Sequence, residues 1–453
     1  MVVFRHVSVI RWLPALLVAV LVTPPQAHAQ FGFGMRAVGG VSVDTSGIVR
    51  NLDPQAVESL ATERAKALAD GGWTGKAGEA RRVSLKAVAE AVKKAAESGS
   101  MLPTEVQFLG GLQRIDRVFV DPEGHDIVLS GPADTLVVAA DGSIVGATTN
   151  RPPLHLEDLM VSLRAIDGAR NGGMTCSIDP SPEGIARLQA MLRRQGTMGA
   201  DPRATFTAME EAVGPQQVTV GGVPGDSRFA RVLVAADYRM KRIGMGLEES
   251  GLASLPSYLS MVPAGGRVAT LPRFWLEADY DPIAHDAEEL AWKIGGRRMK
   301  CLTESDVAGR GGMRRGAAQT DATAKRWCDA MTVAYDDLAS KQPVFAELTN
   351  CIDLAVVAAL IQSRQLANRA GCDLAPLSSS AGLTTPTYDV PTSVPTVASG
   401  VKKGSTWVLT ASGGVMVQPW QFATDLAPSA DAAAGRAEAL AARPHDLAGC
   451  SWD

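Results

Sequence analysis

Most of the residue patterns that indicate a known catalytic or metal chemistry are missing from this sequence. It contains no Cys-x-x-Cys pair, so zinc ribbons and thioredoxin-like redox sites have no support. It also contains no Gly-x-Ser-x-Gly elbow and no His-Glu-x-x-His helix, the signatures of α/β-hydrolases and zinc peptidases. Histidine is scarce, at six in 453 residues. No enzyme class is therefore indicated by motif.

An excess of basic charge is missing as well. The chain has 44 Lys and Arg against 48 Asp and Glu, a formal net charge of −4, whereas a dedicated nucleic-acid-binding protein is usually basic. No stretch of eighteen apolar residues occurs, so we expect no transmembrane segment in the mature chain. Hydrophobic residues still make up 46% of the composition, which is enough for a large core in two or three domains.

The first 29 residues have the pattern of a cleaved signal peptide. Arg5 and Arg11 form a basic N-terminal region, and an apolar run over 12–22 follows it. The small-x-small sequence Ala27-His28-Ala29, typical of a cleavage site, comes after the run. The run is too short to span a hydrocarbon core of about 30 Å, although an uncleaved anchor is the alternative. Gln30 follows the predicted cleavage in place of the cysteine of a lipoprotein. We therefore predict a periplasmic or secreted protein.

Six cysteines enter the oxidising compartment that such a leader implies. They lie at positions 176, 301, 328, 351, 372 and 450. An even number permits three disulfide bonds, but six cysteines allow fifteen pairings and the sequence does not choose among them. If 344–370 is one continuous helix, Cys351 and Cys372 lie about 30 Å apart and cannot pair. Free or singly paired buried cysteines are the simplest prediction.

Periodicity predicts an α+β fold. Strand patterns separated by turn residues predict an antiparallel meander of about four strands near 113–148. Helices and strands then alternate, and 343–370 is predicted to be a long buried helix that begins at Pro343 and stops at Gly371. The alternation of apolar and polar residues over 273–281 is typical of a strand.

Composition divides the chain into five segments. We expect a signal peptide over 1–29, an N-terminal helical region over 30–104, an α+β core domain over 105–375, a Ser/Thr/Pro linker or draped segment over 376–400, and a C-terminal hairpin and helix over 401–453. The hairpin is predicted from two apolar triplets that flank Ser412-Gly413-Gly414.

Five stretches, in order, resemble a family of secreted bacterial proteins known only as a domain of unknown function. They are VFVDPEGHDIVLSGPAD over 118–134, SIDPSPEGIARLQ over 177–189, SRFARVLVAADYRMKRIGMGLE over 227–248, RFWLEADYD over 273–281 and PVFAELTNCIDLAVVAALI over 343–361. The resemblance covers roughly 105–370. It implies one large α+β domain and a secreted protein, and it brings no activity, ligand or catalytic residue.

The strand over 273–281 is the first candidate site. Glu277, Asp279 and Asp281 alternate, so a strand places the three carboxylates on one face. No cofactor is predicted by motif, but a divalent cation such as Ca²⁺ or Mg²⁺ could bind these oxygens. A solvated strand edge protected by its charges explains the same residues, and this is the interpretation that we favour.

Two helices supply the other candidates. Asp353 begins an apolar run, where an unpaired carboxylate is unfavourable, and Arg364 lies near the same face. Structural pairing is the favoured interpretation, and the alternative makes Asp353, with Glu277, a catalytic candidate. The polar face of a helix over 227–244 carries several cations, at positions 228, 231, 239, 241 and 242. We interpret that face as solvated, with a partner-docking surface as the alternative.

We expect an exported envelope or periplasmic protein that is non-enzymatic and acts by binding a protein or envelope partner, or by assembly. The alternative is a carboxylate-dependent hydrolase of envelope polymers that uses Glu277, Asp279 and Asp281 with Asp353 nearby. Such an enzyme needs these acids in one concave pocket. A binding protein needs an exposed apolar or basic patch instead.

Overall fold

A computed structural model describes residues 37–72, 75–195, 202–263, 272–305, 307–309, 312–314, 321–380, 382–399 and 411–453. The predicted signal peptide lies outside these residues, and so does the first apolar triplet of the predicted C-terminal hairpin, residues 407–409. Helices and mixed sheets fill the described ranges, which confirms the predicted α+β class.

The strands of the described chain are β1 (Ala37–Val38), β2 (Val41–Val43), β3 (Val49–Asn51), β4 (Gly78–Ser84), β5 (Arg117–Asp121), β6 (Asp126–Ala133), β7 (Leu136–Val138), β8 (Ile144–Gly146), β9 (Met174–Pro180), β10 (Gln216–Gly221), β11 (Pro272–Asp279), β12 (Ile283–His285), β13 (Ala291–Lys293), β14 (Arg298–Ser305), β15 (Val307–Gly309), β16 (Gly312–Arg314), β17 (Ser393–Val394), β18 (Ser412–Val417), β19 (Leu426–Pro428) and β20 (Ser451–Trp452).

The α-helices are α1 (Pro54–Asp70), α2 (Leu85–Ser98), α3 (Thr104–Gln107), α4 (Leu156–Ala165), α5 (Pro182–Gln195), α6 (Pro202–Val213), α7 (Arg228–Gly244), α8 (Tyr258–Met261), α9 (Ala322–Lys341), α10 (Pro343–Ser363), α11 (Leu366–Ala370), α12 (Ala375–Ser378), α13 (Pro419–Thr424) and α14 (Ala430–Ala441). A short 3₁₀ turn covers Leu109–Gly111.

Two large sheets organise the described chain. The six-stranded sheet has the order β14-β11-β18-β9-β10-β17, and the seven-stranded sheet has the order β19-β12-β13-β5-β6-β4-β20. The four strands predicted near 113–148 are present and antiparallel, as two hairpins: β5–β6 belongs to the seven-stranded sheet, and β7–β8 stands apart. The strand predicted at 273–281 is β11.

Local chemistry begins the helices where the sequence indicates. Asp53 caps α1 by accepting from the Gln55 N–H, and proline occupies the first turn. Ser227 caps α7 by accepting from the Ala230 N–H, at 3.1 Å. An Asp321 carboxylate caps α9 in the same way. Each side chain satisfies a backbone donor that has no partner within the helix.

Helix α10 lies at the centre of the core. Every residue from Pro343 to Ile361 is buried, against α4, α7, α9 and α13. By length and composition this helix could cross a membrane, and its apolar window is entirely buried inside the protein. The predicted continuous helix to 370 is wrong: α10 ends at Ser363, Gln365 takes a left-handed conformation at φ 51°, and α11 begins at Leu366. That conformation breaks the helical hydrogen-bond ladder.

The glycine pair expected at the hairpin turn lies in a strand instead. Gly413 and Gly414 belong to β18, which pairs in parallel with β11 and antiparallel with β9. A Cβ on Gly413 would lie 1.9 Å from the Phe274 carbonyl oxygen, and one on Gly414 would lie 1.8 Å from the Cys176 carbonyl oxygen. Glycine is thus required at both positions because neighbouring backbone comes too close for a side chain. In the sequence alone, such a glycine pair looks the same as a turn.

The Ser/Thr/Pro segment drapes over the core. Its described part contains α12 and the short strand β17, which extends the six-stranded sheet. Tyr388 is buried, and its backbone N–H donates to the Asp226 carbonyl at 2.8 Å. The Pro-rich composition therefore goes with an extended, packed conformation.

Candidate functional site

The predicted acidic strand is not the strand edge that the sequence interpretation favoured, because β11 pairs with β14 on one side and β18 on the other. One face of this interior strand forms part of an accessible sheet surface. In β11 the side chains of Trp275, Glu277 and Asp279 are partly exposed, while Phe274, Leu276 and Ala278 are buried beneath. The Phe274 ring packs 4.4 Å from that of Trp327 on α9. The outward positions and their cross-strand neighbours form a surface that we call the outer sheet face; its members are Trp275, Glu277, Asp279, Lys300, Leu302 and Met416.

The centre of the outer sheet face is apolar. Trp275 lies directly opposite Leu302 of β14, and on its other side β18 presents Gly414, which has no side chain. Leu302 is 41% exposed and Met416 is 37% exposed. Arg273 places its guanidinium carbon 4.6 Å from the Trp275 ring centroid. Large apolar side chains clustered on an exposed sheet are unusual, because burial would remove them from water.

Charged side chains border this apolar centre. Lys300 lies opposite Glu277, with its Nζ 3.9 Å from the Glu277 Oε2 and 3.5 Å from the Asp279 Oδ1. One ammonium group is therefore shared by two carboxylates, and Asp281 is exposed just beyond the end of β11. At this end of the face, three carboxylates therefore stand against the one ammonium group of Lys300.

Asp353 does not join these acids. It is completely buried, and its Oδ1 accepts from the Tyr280 hydroxyl at 2.6 Å and from Arg298 Nη1 at 3.0 Å. Its Oδ2 accepts from the Ile115 N–H at 3.1 Å. Tyr280 lies on the core side of the chain that carries Asp279, so Asp353 is approached from the opposite face. Asp353 and the acids of β11 therefore do not line one concave pocket, as the hydrolase alternative requires.

The partner of Asp353 is also different from the one that the spacing indicates. Arg298, not Arg364, forms the ion pair, and Arg364 instead contacts Glu289. Arg298 further donates to the Ile294 carbonyl at 2.9 Å and to Asp116 Oδ1 at 3.1 Å. The side chain thus ties the core carboxylate to the protein surface. Arg298 lies 55 residues before Asp353 in the chain, so no local sequence pattern indicates that the two side chains pair.

Asp116 is an acid that the sequence interpretation missed. Its side chain is 44% exposed in a surface cleft of about 440 Å³. The charged side chains that line the cleft are Glu79, Arg82, Asp116, Arg117, Asp431 and Glu438. Partial burial raises the pKa of Asp116, and nearby Arg298 and Arg114 oppose that rise. None of the four acids predicted from sequence lines this cleft.

The cations of α7 are largely buried, which corrects the solvated interpretation of that helix. Arg228 contacts Asp158, and its Nη2 lies 3.1 Å from Glu347 Oε1 and its Nε 3.7 Å from Glu157 Oε1. We call these four residues the buried ion cluster. Arg239 and Arg242 are half-buried and share Glu248. The acidic partners of Arg228 belong to α4 and α10, so no local pattern could have revealed them.

Lys241 is buried on the same helix and has a structural role. Its Nζ donates to Asp237 Oδ2 at 2.8 Å, to the Ile178 carbonyl at 2.8 Å and to the Gly413 carbonyl at 3.0 Å. All three ammonium protons are therefore used, and they fasten α7 to β9 and β18. Burial raises the pKa of Asp237 to about 7, although Lys241 opposes that rise.

The buried ion cluster contains more acid than its arginine can neutralise. Burial and the adjacent Asp158 raise the pKa of Glu157 to about 8, while Arg228 and the Tyr388 hydroxyl, 2.9 Å from Glu157 Oε2, oppose the rise. The pKa of Glu347 is raised by burial too. His155 lies 3.8 Å from Glu157, and burial holds its pKa well below the ordinary value.

We expect this cluster to make stability fall as pH rises from 6.5 to 8. A carboxyl with a raised folded pKa keeps its proton in the folded state while the unfolded chain loses it, so the free energy of unfolding decreases until the folded pKa is passed. Glu157→Gln should remove about 1–2 kcal/mol of that decrease in urea titrations. Glu248→Gln is the matched control, because the lowered pKa of Glu248 leaves it ionised throughout this range. Equal slopes in wild type and Glu157→Gln would contradict the expectation.

Metal binding gains no support from the geometry. Within the described ranges, no group of three or more His, Cys, Asp or Glu side chains is arranged to hold a metal ion. Lys300 occupies the position between Glu277 and Asp279 where a cation would bind. A divalent cation on this strand therefore stays a prediction from sequence alone.

Comparison with known proteins recognises one segment. Residues 176–258 match the family model DUF1598, described as a protein of unknown function. No curated protein and no solved structure matches the chain. The match confirms a domain of unknown function within the expected 105–370, over a shorter range. The DUF1598 segment supplies most of β9 and all of β10 and α7, with the buried cations Arg228 and Lys241, whereas every member of the outer sheet face lies outside it.

Proposed function

We propose that this chain is an exported protein of the bacterial envelope or periplasm that binds another protein through its outer sheet face, without catalysis. The observation that carries the proposal is the apolar centre of that face, where Leu302 and Met416 are exposed and Trp275 is half-buried. Aromatic and aliphatic side chains that can be removed from water supply most of the energy of protein interfaces. The leader pattern at 1–29 is the support for export.

The ionisable groups favour binding over catalysis. Glu157, Asp158 and Glu347 have raised pKa values, but they are buried and held by Arg228. Asp353 has both of its oxygens occupied by protein donors. A catalytic acid or base must reach a substrate, and these carboxylates lie in the core. Asp116, which is accessible, is held by Arg298.

The charge around the apolar centre indicates what the partner presents. Glu277 and Asp279 share Lys300, and Asp281 adds a solvated carboxylate at the edge. The border of the face is therefore negative. We propose a protein partner that places an apolar side chain against Trp275 with basic residues around it, since complementary charges steer encounter and fix orientation.

A photo-crosslinking amino acid at position 302 tests the surface in the cell that makes this protein. The captured protein is then purified and titrated against the purified full chain. Leu302→Asp should weaken binding about tenfold or more, because it places a charge at the apolar centre. The matched control is Val333→Asp, because Val333 is 80% exposed on α9, away from this face. Equal loss in both variants, or no loss in Leu302→Asp, would overturn the proposed surface.

Export is tested separately by fractionation of cells that make the full-length chain. We expect the protein in the envelope or periplasmic fraction, with an N-terminus at Gln30. Replacing the small residues at 27 and 29 with Leu should block cleavage and retain the leader. A cytosolic chain that still begins at its leader would overturn export and leave the binding surface to be judged by its own titration.

A further inference from the structure

Two of the six cysteines lie against each other in the core. Cys301 belongs to β14 and Cys328 to α9, and both are almost completely buried. Their thiols are within hydrogen-bonding contact. In sequence they are separated by 27 positions, and neither belongs to a Cys-x-x-Cys pattern, so the contact is a product of the fold.

The backbone holds the two cysteines in this position. The Thr332 hydroxyl accepts from the Cys301 N–H at 2.8 Å and donates to the Cys328 carbonyl at 2.8 Å. One side chain therefore bridges the main chains of both residues, where α9 packs along β14. A disulfide requires close Cα atoms and Cβ vectors that face each other. Two thiols in contact, on main chains that one hydroxyl bridges, are the starting arrangement for such a bond.

Each of the other four thiols has a different neighbour. Cys351 hydrogen-bonds Asp158, and Cys450 Sγ lies 3.9 Å from the Glu105 carbonyl oxygen. Cys372 interacts with the backbone of Ile127, and Cys176 lies near Asp237. Among the six cysteines, the contact between Cys301 and Cys328 therefore favours one disulfide bond, that between these two residues.

We propose that Cys301 and Cys328 form a disulfide bond when the chain is exported, which rests on the export part of the proposed function. The oxidant is a protein or small-molecule disulfide. One cysteine thiolate attacks it to give a mixed disulfide and release one thiol, and the second cysteine then displaces the other. Two S–H bonds are lost, one intramolecular S–S bond forms, and the oxidant leaves as two thiols.

The order of events follows from burial. Burial raises the pKa of the Cys301 thiol well above its ordinary value, and the neighbouring Cys328 adds to the rise. The reactive form is the thiolate, so the packed pair is slow to react. Oxidation therefore takes place before α9 closes over β14, and the finished bond is protected from reductants. It joins the edge strand β14 of the six-stranded sheet to α9.

Peptide mapping tests the pairing directly. Trypsin releases 301–310 (CLTESDVAGR) and 327–341 (WCDAMTVAYDDLASK), each with one cysteine. In the full chain exported with its own leader and alkylated at lysis, we expect these peptides linked, about 2 Da lighter than their sum. The same chain, reduced under mild denaturation and reoxidised with glutathione disulfide, should give the same linked pair. Alkylated thiols at 301 and 328 in both samples would overturn the disulfide. Linkage in the reoxidised sample alone would support the pairing and contradict export.

Thermal unfolding gives a second measurement, in which each protein is compared with itself in the presence and absence of reductant. When the exported protein is reduced with dithiothreitol under mild denaturation and refolded in the reductant, its Tm should fall by about 3 °C, because the bond restricts the unfolded chain. Cys301→Ser should abolish this dependence on reductant. Cys176→Ser is the matched control, a buried cysteine that should retain it. A dependence on dithiothreitol that persists in Cys301→Ser would overturn the assignment.

Discussion

Replacing Arg228 with methionine is expected to lower the free energy of unfolding by about 4 kcal/mol at pH 7.5. Arg228 is buried and contacts Asp158, Glu157 and Glu347, so its removal leaves three carboxyl groups in the core without their main counter-charge. Methionine retains much of the side-chain volume, so a cavity is a minor part of the loss. Urea unfolding monitored by tryptophan fluorescence measures the change.

The pH dependence separates this electrostatic cause from simple loss of packing. At pH 5 the three carboxyls can be neutral in the folded variant, so Arg228→Met should lose much less than at pH 7.5. Lys325→Met is the control, because its pair with Asp329 is solvent-exposed and contributes little. An equal loss at both pH values would show that packing, not charge, decides the stability of this cluster.

The failure of the sequence interpretation at α7 has a physical cause. Periodicity correctly separates an apolar stripe from a cationic face, but it cannot say whether that face meets water or the carboxylates of other helices. The partners of Arg228 lie about 70 positions earlier, in α4, and about 120 later, in α10. Asp353 is similar: a buried partner was correctly expected, but the partner is Arg298 and not the nearby Arg364.

Strand periodicity was informative because it depends on neighbours within one segment. Alternation over 273–281 correctly predicted β11 and the common face of Glu277 and Asp279. It did not predict that Leu302 and Met416 would complete that face, since cross-strand register is set by the whole sheet. Likewise, Gly413 indicates a turn when taken alone, and only the flanking strands show that close approach requires it.

Replacing Asp353 with asparagine is expected to lower the free energy of unfolding by about 3 kcal/mol. Asparagine has almost the same shape but no charge, and its amide NH₂ would face the Ile115 N–H, a donor against a donor. Arg298 would keep one acidic partner, Asp116, whose side chain is 44% exposed. Asp279→Asn is the matched control, because that carboxylate lies on the other side of Tyr280 in partial contact with solvent.

A double-mutant cycle shows whether the loss belongs to the Asp353–Arg298 pair. The variants Asp353→Asn, Arg298→Met and their combination are unfolded in urea under the same conditions. Each single change leaves the other charged side chain buried without its partner. The free energy of unfolding of the double variant should therefore be about 2 kcal/mol higher than the sum of the two single losses predicts. Additive losses would mean that the two side chains contribute independently. In that case Arg298 would be held mainly by the Ile115 and Ile294 carbonyls, and Asp353 by Tyr280 and the Ile115 N–H.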